Sequence, residues 1–119
     1  FHPHTPILLK NNKYKRMCDI SIGDILENGS KVVGTLELQG SAENPYYRIY
    51  SEKLGKNIFV TGSHLVQSPS TGEFIHVSEL EGSIPGRYYT ENLSCLITDN
   101  HRIPIGEYVF WDWEDEQLI

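Results

Sequence analysis

Cysteine and basic residues are both scarce in this sequence, and each shortage argues against a class of protein. The two cysteines among 119 residues are Cys18 and Cys95, which can close one disulfide but cannot form a disulfide framework. We therefore expect a reducing intracellular compartment. The ten lysines and arginines are outnumbered by 16 acidic residues, and the formal net charge of -6 argues against a nucleic-acid binder, which normally carries a basic face.

Long apolar runs and clustered metal ligands are also missing. No apolar run is long enough to cross a bilayer and no charged-then-apolar signal opens the sequence, so we expect no membrane partner. The sequence has no Cys-x-x-Cys pair, and its five histidines are scattered. His2 and His4 are spaced to share a metal on a strand, but the spacing supplies no third ligand. We predict no metal site and no cofactor.

A sustained helical period is absent, and short segments of β type take its place. Glycine, asparagine, proline and serine recur at short intervals and separate segments rich in Ile, Val, Tyr and Thr, which is typical of an all-β domain. The one stretch with a helical pattern is 77–80. Because no low-complexity linker divides the chain, we predict a single domain over 1–119 with a solvated acidic tail at about 112–119. The predicted strands are 6–9, 14–20, 31–38, 46–50, 57–61, 74–77, 88–89, 93–98 and 108–111.

The first candidate site is the stretch 60–64, Val-Thr-Gly-Ser-His, at the end of a predicted strand. The Thr61 hydroxyl and the His64 imidazole lie three residues apart with a glycine between them, so both can converge on one peptide bond. A histidine there can protonate a leaving amide nitrogen, and a threonine can orient it or hold the carbonyl. The alternative is structural, with Thr61 capping a turn and His64 at the surface.

The second candidate site is Cys95, followed six residues later by His101. Cys95 lies inside an apolar strand pattern, so it is either a buried thiol that packs as a small apolar side chain or a reactive thiolate beside a histidine. A Cys-His peptidase acting in trans through Cys95 and His101 is a further alternative, although no substrate-groove motif accompanies it. We expect Cys18 to be buried rather than reactive.

Five segments follow one another in the order and spacing of the motifs of a known family. Residues 1–6 (Phe-His-Pro-His-Thr-Pro) resemble the opening that follows a catalytic first cysteine, and residues 17–26 (Met-Cys-Asp-Ile-Ser-Ile-Gly-Asp-Ile-Leu) resemble a strand running into Gly-Asp. The stretch 60–66 resembles the motif that carries Thr-x-x-His, and the stretches 93–101 and 105–110 resemble two closing motifs. Together they cover nearly the whole chain, which resembles the Hint family of inteins and hedgehog autoprocessing domains.

The resemblance implies an all-β Hint-fold horseshoe of many short, mostly antiparallel strands with pseudo-two-fold halves. The chain is too short for the endonuclease insert of large inteins, so it resembles the mini type. The implied activity is that of a single-turnover, cysteine-dependent domain that cleaves its own chain, rather than that of a turnover enzyme. The implied partners are the flanking segments of its own precursor, with no nucleic acid and no membrane, and we expect a monomer.

The resemblance also assigns roles to the candidate residues. In the family, the first cysteine attacks the carbonyl of the residue before it, and this N-to-S acyl shift converts an amide into a thioester. His64 would be the proton donor, with Thr61 beside it. Cys95 matches the place usually held by an aspartate that activates the first thiol, and it is either a weaker activator or a second acyl acceptor. His101 matches a histidine that assists the C-terminal step.

Two departures from the family pattern change the expected activity. The sequence begins at Phe1 without the cysteine expected before it, so this sequence alone cannot perform the first step. Trp111 and Asp112 stand where the family has a His-Asn pair, and aspartate cyclises far less readily than asparagine. We therefore expect cleavage or acyl transfer at the N-terminal junction and no efficient splicing. A degenerate Hint-like module with a structural or protein-binding role is the alternative.

Overall fold

Short strands joined by tight turns make up residues 1–112, which are the residues described by this computed structural model. Trp113 and the rest of the predicted acidic tail lie outside the described residues. Within 1–112, the helical segments are two 3-10 helices, Met17–Asp19 and Val77–Glu79, and neither is long and apolar enough to span a membrane. The strands are β1 (Pro6–Leu8), β2 (Tyr14–Arg16), β3 (Val32–Gln39), β4 (Tyr46–Ser51), β5 (Lys56–Thr61), β6 (Leu65–Gln67), β7 (Phe74–His76), β8 (Ile84–Pro85), β9 (Asn92–Thr98), β10 (Arg102–Ile105) and β11 (Tyr108–Trp111).

Antiparallel pairing joins these strands into four small sheets within residues 1–112. The register of β3 with β9 runs from Val32 opposite Thr98 to Gln39 opposite Asn92, with an irregularity between Val32 and Gly34. The other sheets have the strand orders β1-β2, β5-β4-β8 and β10-β11-β6-β7. The predicted all-β class with antiparallel strands is therefore confirmed.

One hydrophobic core lies between the sheets, because the side chains of each strand alternate between its two faces. In β3, Thr35 and Glu37 are exposed, whereas Leu36 between them packs against the core. Phe1 belongs to the same buried cluster, so the first residue of the chain is a core residue. The largest fully buried side chains are Ile7, Met17, Leu26, Val32, Ile49, Ile58, Val60, Val66, Leu96, Ile103, Ile105 and Phe110.

The predicted return strand at 14–20 is a strand only over Tyr14–Arg16, after which the chain enters the 3-10 helix Met17–Asp19. In that helix Met17 takes the core position at 2% exposure, and Cys18 consequently faces solvent. The expectation that Cys18 is buried is therefore wrong.

Two further differences between the predicted and the observed strands are a wrong strand at 88–89 and two strands that were not predicted. The predicted strand at 88–89 is wrong: Tyr88 and Tyr89 are half exposed, and the strand in this region is β8. The sequence analysis also missed the three-residue β6 and the proline-containing β10. Because β10 is the edge strand of its sheet, Pro104 is tolerated there although it has no N–H to donate.

Candidate functional site

The first residue of the chain is held inside the protein, next to the candidate histidine. Phe1 is 3% exposed, and its ring packs edge-on against His64 with ring centroids 4.5 Å apart and against Phe110 at 5.0 Å. The main chain is fixed as well, because the Ser94 amide donates to the Phe1 carbonyl at 2.9 Å and the His2 amide donates to the Phe59 carbonyl at 3.1 Å. The amino end is thus held between β9 and β5.

The turn from Thr61 to His64 follows directly from the end of β5. Thr61 is the last residue of that strand and is 8% exposed, and its carbonyl accepts the His64 amide at 3.2 Å. Gly62 is required by a close approach, because a Cβ there would lie 2.6 Å from the ring of Tyr47. The glycine between the threonine and the histidine therefore lets the turn pass under an aromatic ring.

The hydrogen bond of His64 determines its tautomer. Its Nε2 lies 2.7 Å from the main-chain carbonyl oxygen of Trp111, and a carbonyl can only accept, so Nε2 carries the hydrogen and Nδ1 of the neutral ring does not. Burial, followed by the charge of the Phe1 amine, lowers the pKa of His64 from 6.5 to about 3, although the Trp111 hydrogen bond acts in the opposite direction. The imidazole is therefore neutral at physiological pH.

Cys95 lies on β9, directly after the residue that binds the Phe1 carbonyl. Its side chain is 4% exposed, and the thiol donates to the Leu96 carbonyl at 3.6 Å. Burial lowers the pKa of the Phe1 amino group, and the nearby Cys95 partly raises it again. Cys95 and the exposed Cys18 both line a groove of about 230 Å³.

His101 belongs to a second cluster, formed with the end of β11. It occupies the left-handed region at φ 61, its Nδ1 lies 3.0 Å from Oδ2 of Asp112, and its ring stacks on Trp111 at 5.4 Å. The same Asp112 oxygen accepts the Thr98 amide at 3.1 Å. Asp112 is fully buried, so the expectation that it begins a solvated tail is wrong. The carboxylate can be buried because the Thr98 amide and His101 provide hydrogen bonds in place of water.

The four residues named from the sequence thus fall into two linked groups. His64 and Cys95 lie beside the amino end, and Thr61 is joined to His64 by a main-chain hydrogen bond. His101 lies beside Trp111, and the bond from His64 to the Trp111 carbonyl joins the two groups. The sequence analysis missed that carbonyl, because a main-chain acceptor has no sequence signal. Among residues 1–112, no group of three or more histidine, cysteine or acidic side chains could hold a metal ion.

Comparison with known proteins identifies the fold. The sequence matches no protein-family model and no curated protein. The crystal structure of the MchDnaB-1 intein is similar, with a TM-score of 0.67 at 17% identity over 92% of this chain and 98% of that chain. A second crystal structure of that intein gives 0.68 at 19% identity, over 93% and 98% of the two chains.

The crystal structure of the gp41-1 intein is similar as well, with a TM-score of 0.63 at 15% identity over 92% of this chain and 95% of that chain. At these identities the likeness concerns the fold, and it extends over almost the full length of each intein. The expectation drawn from the five sequence segments is thereby confirmed: the chain has the Hint fold of the inteins.

Proposed function

We propose that this domain cleaves the peptide bond before a cysteine that directly precedes Phe1, by an N-to-S acyl shift. The observation that carries the proposal is the burial of Phe1 against His64, with Cys95 beside the amino end. A residue attached to the Phe1 nitrogen would start within this group of side chains.

The proposed step moves one proton from the thiol to the departing nitrogen and needs no cofactor. The sulfur of the preceding cysteine attacks the carbonyl carbon of the residue before it, the carbon–nitrogen bond breaks, and a thioester forms. The thiol proton ends on the departing nitrogen, which becomes the amine of that cysteine. Because Nδ1 of neutral His64 carries no hydrogen, it can accept the proton and pass it on. Thr61 limits the position of the ring, since its carbonyl binds the His64 amide.

Cys95 has two proposed roles in this reaction. As a neighbour of the amino end it can accept the acyl group in a thiol–thioester exchange, or it can polarise the attacking thiol. The groove that it shares with Cys18 would admit a small external thiol. The partner in either case is the flanking segment of the domain's own precursor.

The C-terminal side favours cleavage at the N-terminal junction over splicing. Asp112 has no side-chain amide nitrogen to attack its own carbonyl, and its carboxylate is held by the Thr98 amide and by His101. Trp111 presents an indole, which is no acid or base, and it stacks on His101. The same contacts favour the second candidate function, a structural or protein-binding module. They are packing contacts, whereas splicing needs a reactive His-Asn pair at this place.

A fusion protein tests the proposal and separates the two candidates. A reporter followed by one cysteine is placed before Phe1, a second reporter follows Ile119, and the purified fusion is incubated with dithiothreitol or hydroxylamine. We expect release of the first reporter, detected by mass spectrometry, and loss of release in His64→Ala. His4→Ala is the matched control, because His4 is an exposed histidine. A folded fusion that releases nothing supports the structural module, and a ligated product of both reporters contradicts the absence of splicing.

A further inference from the structure

The carbonyl groups of the turn at 62–64 all point towards one neighbouring segment. The Ser78 amide donates to the Gly62 carbonyl at 3.0 Å, and the Val77 amide donates to the His64 carbonyl at 2.8 Å. Between them, Nδ1 of His76 lies 2.8 Å from the Ser63 carbonyl oxygen. Three successive carbonyls are therefore bound by three successive residues, and two of the donors are main-chain amides while the third is a side chain.

The segment that supplies these donors is itself fixed. His76 is the last residue of β7 and pairs with Leu65 of β6, and Val77 is fully buried. The His76 amide donates to the Glu79 carboxylate at 3.3 Å, which closes a capping box at the start of the 3-10 helix. A donor on such a segment holds its acceptor in place, because the segment is anchored by the core and by a sheet.

The bond from His76 determines which of its ring nitrogens carries a hydrogen. Since the Ser63 carbonyl can only accept, Nδ1 of His76 is the donor of this bond. This distinguishes His76 from His64, in which the hydrogen lies on Nε2. The neutral rings of the two histidines are thus opposite tautomers.

We propose that His76 is a positioning residue for His64, acting through the Ser63 carbonyl. The Ser63 carbonyl and the His64 amide belong to one peptide plane, and that amide is already held by the Thr61 carbonyl at 3.2 Å. The bond from His76 is a second restraint on this plane, and its loss lets the plane rotate about the bond that remains. Rotation of that plane moves the His64 imidazole relative to the Trp111 carbonyl and to the Phe1 ring. The inference rests on the proposed function only where cleavage is the readout.

Three substitutions of His76 test the inference in the fusion protein described above. The amide nitrogen of Asn can occupy the place of Nδ1, whereas that of Gln lies one bond further out. We expect His76→Ala and His76→Gln to slow reporter release about 10- to 100-fold, the range that a displacement near 1 Å produces. His76→Asn should restore most of the rate. His4→Ala should leave the rate unchanged.

A second readout does not require cleavage. Nitrogen-15 NMR of the imidazoles reports whether the His64 hydrogen lies on Nε2, and we expect this preference to weaken in His76→Ala and to return in His76→Asn. Equal spectra in the original protein and in His76→Ala, or equal behaviour of the Asn and Gln variants, would overturn the inference. If His76→Ala fails to fold, the comparison of Asn with Gln decides. Absence of cleavage in the unsubstituted fusion contradicts the proposed function instead, and NMR still decides the role of His76.

Discussion

Substitution of Gly62 by alanine perturbs the candidate site by a known amount. The new Cβ would lie 2.6 Å from the Tyr47 ring, whereas ordinary van der Waals contact begins near 3.4 Å. The turn and the ring must therefore separate by about 0.8 Å, derived from these two distances. Because Tyr47 packs against the core, we expect the turn to take much of this shift. Overpacking of this kind costs about 1–3 kcal/mol.

The consequence for the reaction follows from the position of Gly62, two residues before His64. A shift approaching 1 Å at a catalytic group lowers a rate by about two orders of magnitude, so Gly62→Ala should release the reporter roughly 100-fold more slowly. Thermal unfolding followed by circular dichroism should show a midpoint lower by about 4 °C or more.

Gly86→Ala is the matched control for this prediction, because the nearest atom to a Cβ at Gly86 lies at 3.6 Å. A second background, Tyr47→Ala, removes the ring and should relieve the clash, so that Gly62→Ala costs less stability there than in the original protein. The reasoning is refuted if Gly62→Ala and Gly86→Ala unfold at the same temperature and release the reporter equally fast.

Three other predictions concern charge and accessibility. Because the folded-state pKa of His64 is about 3 and the ordinary value is 6.5, the unfolded state binds the proton first as the pH falls. The part of the free energy of unfolding that depends on neutral His64 is therefore present above pH 6.5 and should be lost as the pH falls from 6.5 to 3. Denaturant titrations over this range should show a smaller loss in His64→Gln than in the original protein. Asp112→Ala leaves the buried Thr98 amide without its acceptor and should lower the free energy of unfolding by about 1–3 kcal/mol; an unchanged denaturation midpoint would contradict this. Iodoacetamide should alkylate exposed Cys18 before buried Cys95, and mass mapping that finds the reverse order would contradict the placement of both thiols.

Local patterns in the sequence were sufficient to predict the all-β fold class and the turn that joins Thr61 to His64. Alternation of polar and apolar residues predicts strands such as β3 and β9, because the side chains of a strand alternate between two faces. The spacing of Thr61 and His64 predicts that they act together, since a turn with glycine brings them to one place. In these cases the determining interactions lie within a few residues along the chain.

The features that the sequence analysis did not predict depend on contacts between residues far apart in sequence. A charged run normally lies in solvent, and burial of Asp112 is possible only because His101 and the Thr98 amide meet it there. The bond from His76 to Ser63 joins residues that a strand pairing brings together, and neither residue type predicts it. Pro104 in β10 is similar, because only the position of that strand at a sheet edge makes proline acceptable.

The two ends of the described chain differ in what their polar groups are able to do. At the amino end, His64 uses Nε2 for the Trp111 carbonyl, which leaves Nδ1 of the neutral ring without a hydrogen. At the other end, one Asp112 oxygen accepts two hydrogen bonds, and Trp111 lies against His101 and the guanidinium of Arg102, 4.4 Å from the ring. A bond-breaking step needs a group whose proton can move, whereas packing needs groups whose partners are fixed. Under the proposed function, the reaction would therefore take place at the amino end, whereas the contacts of Asp112 and Trp111 hold the segment at the other end in place.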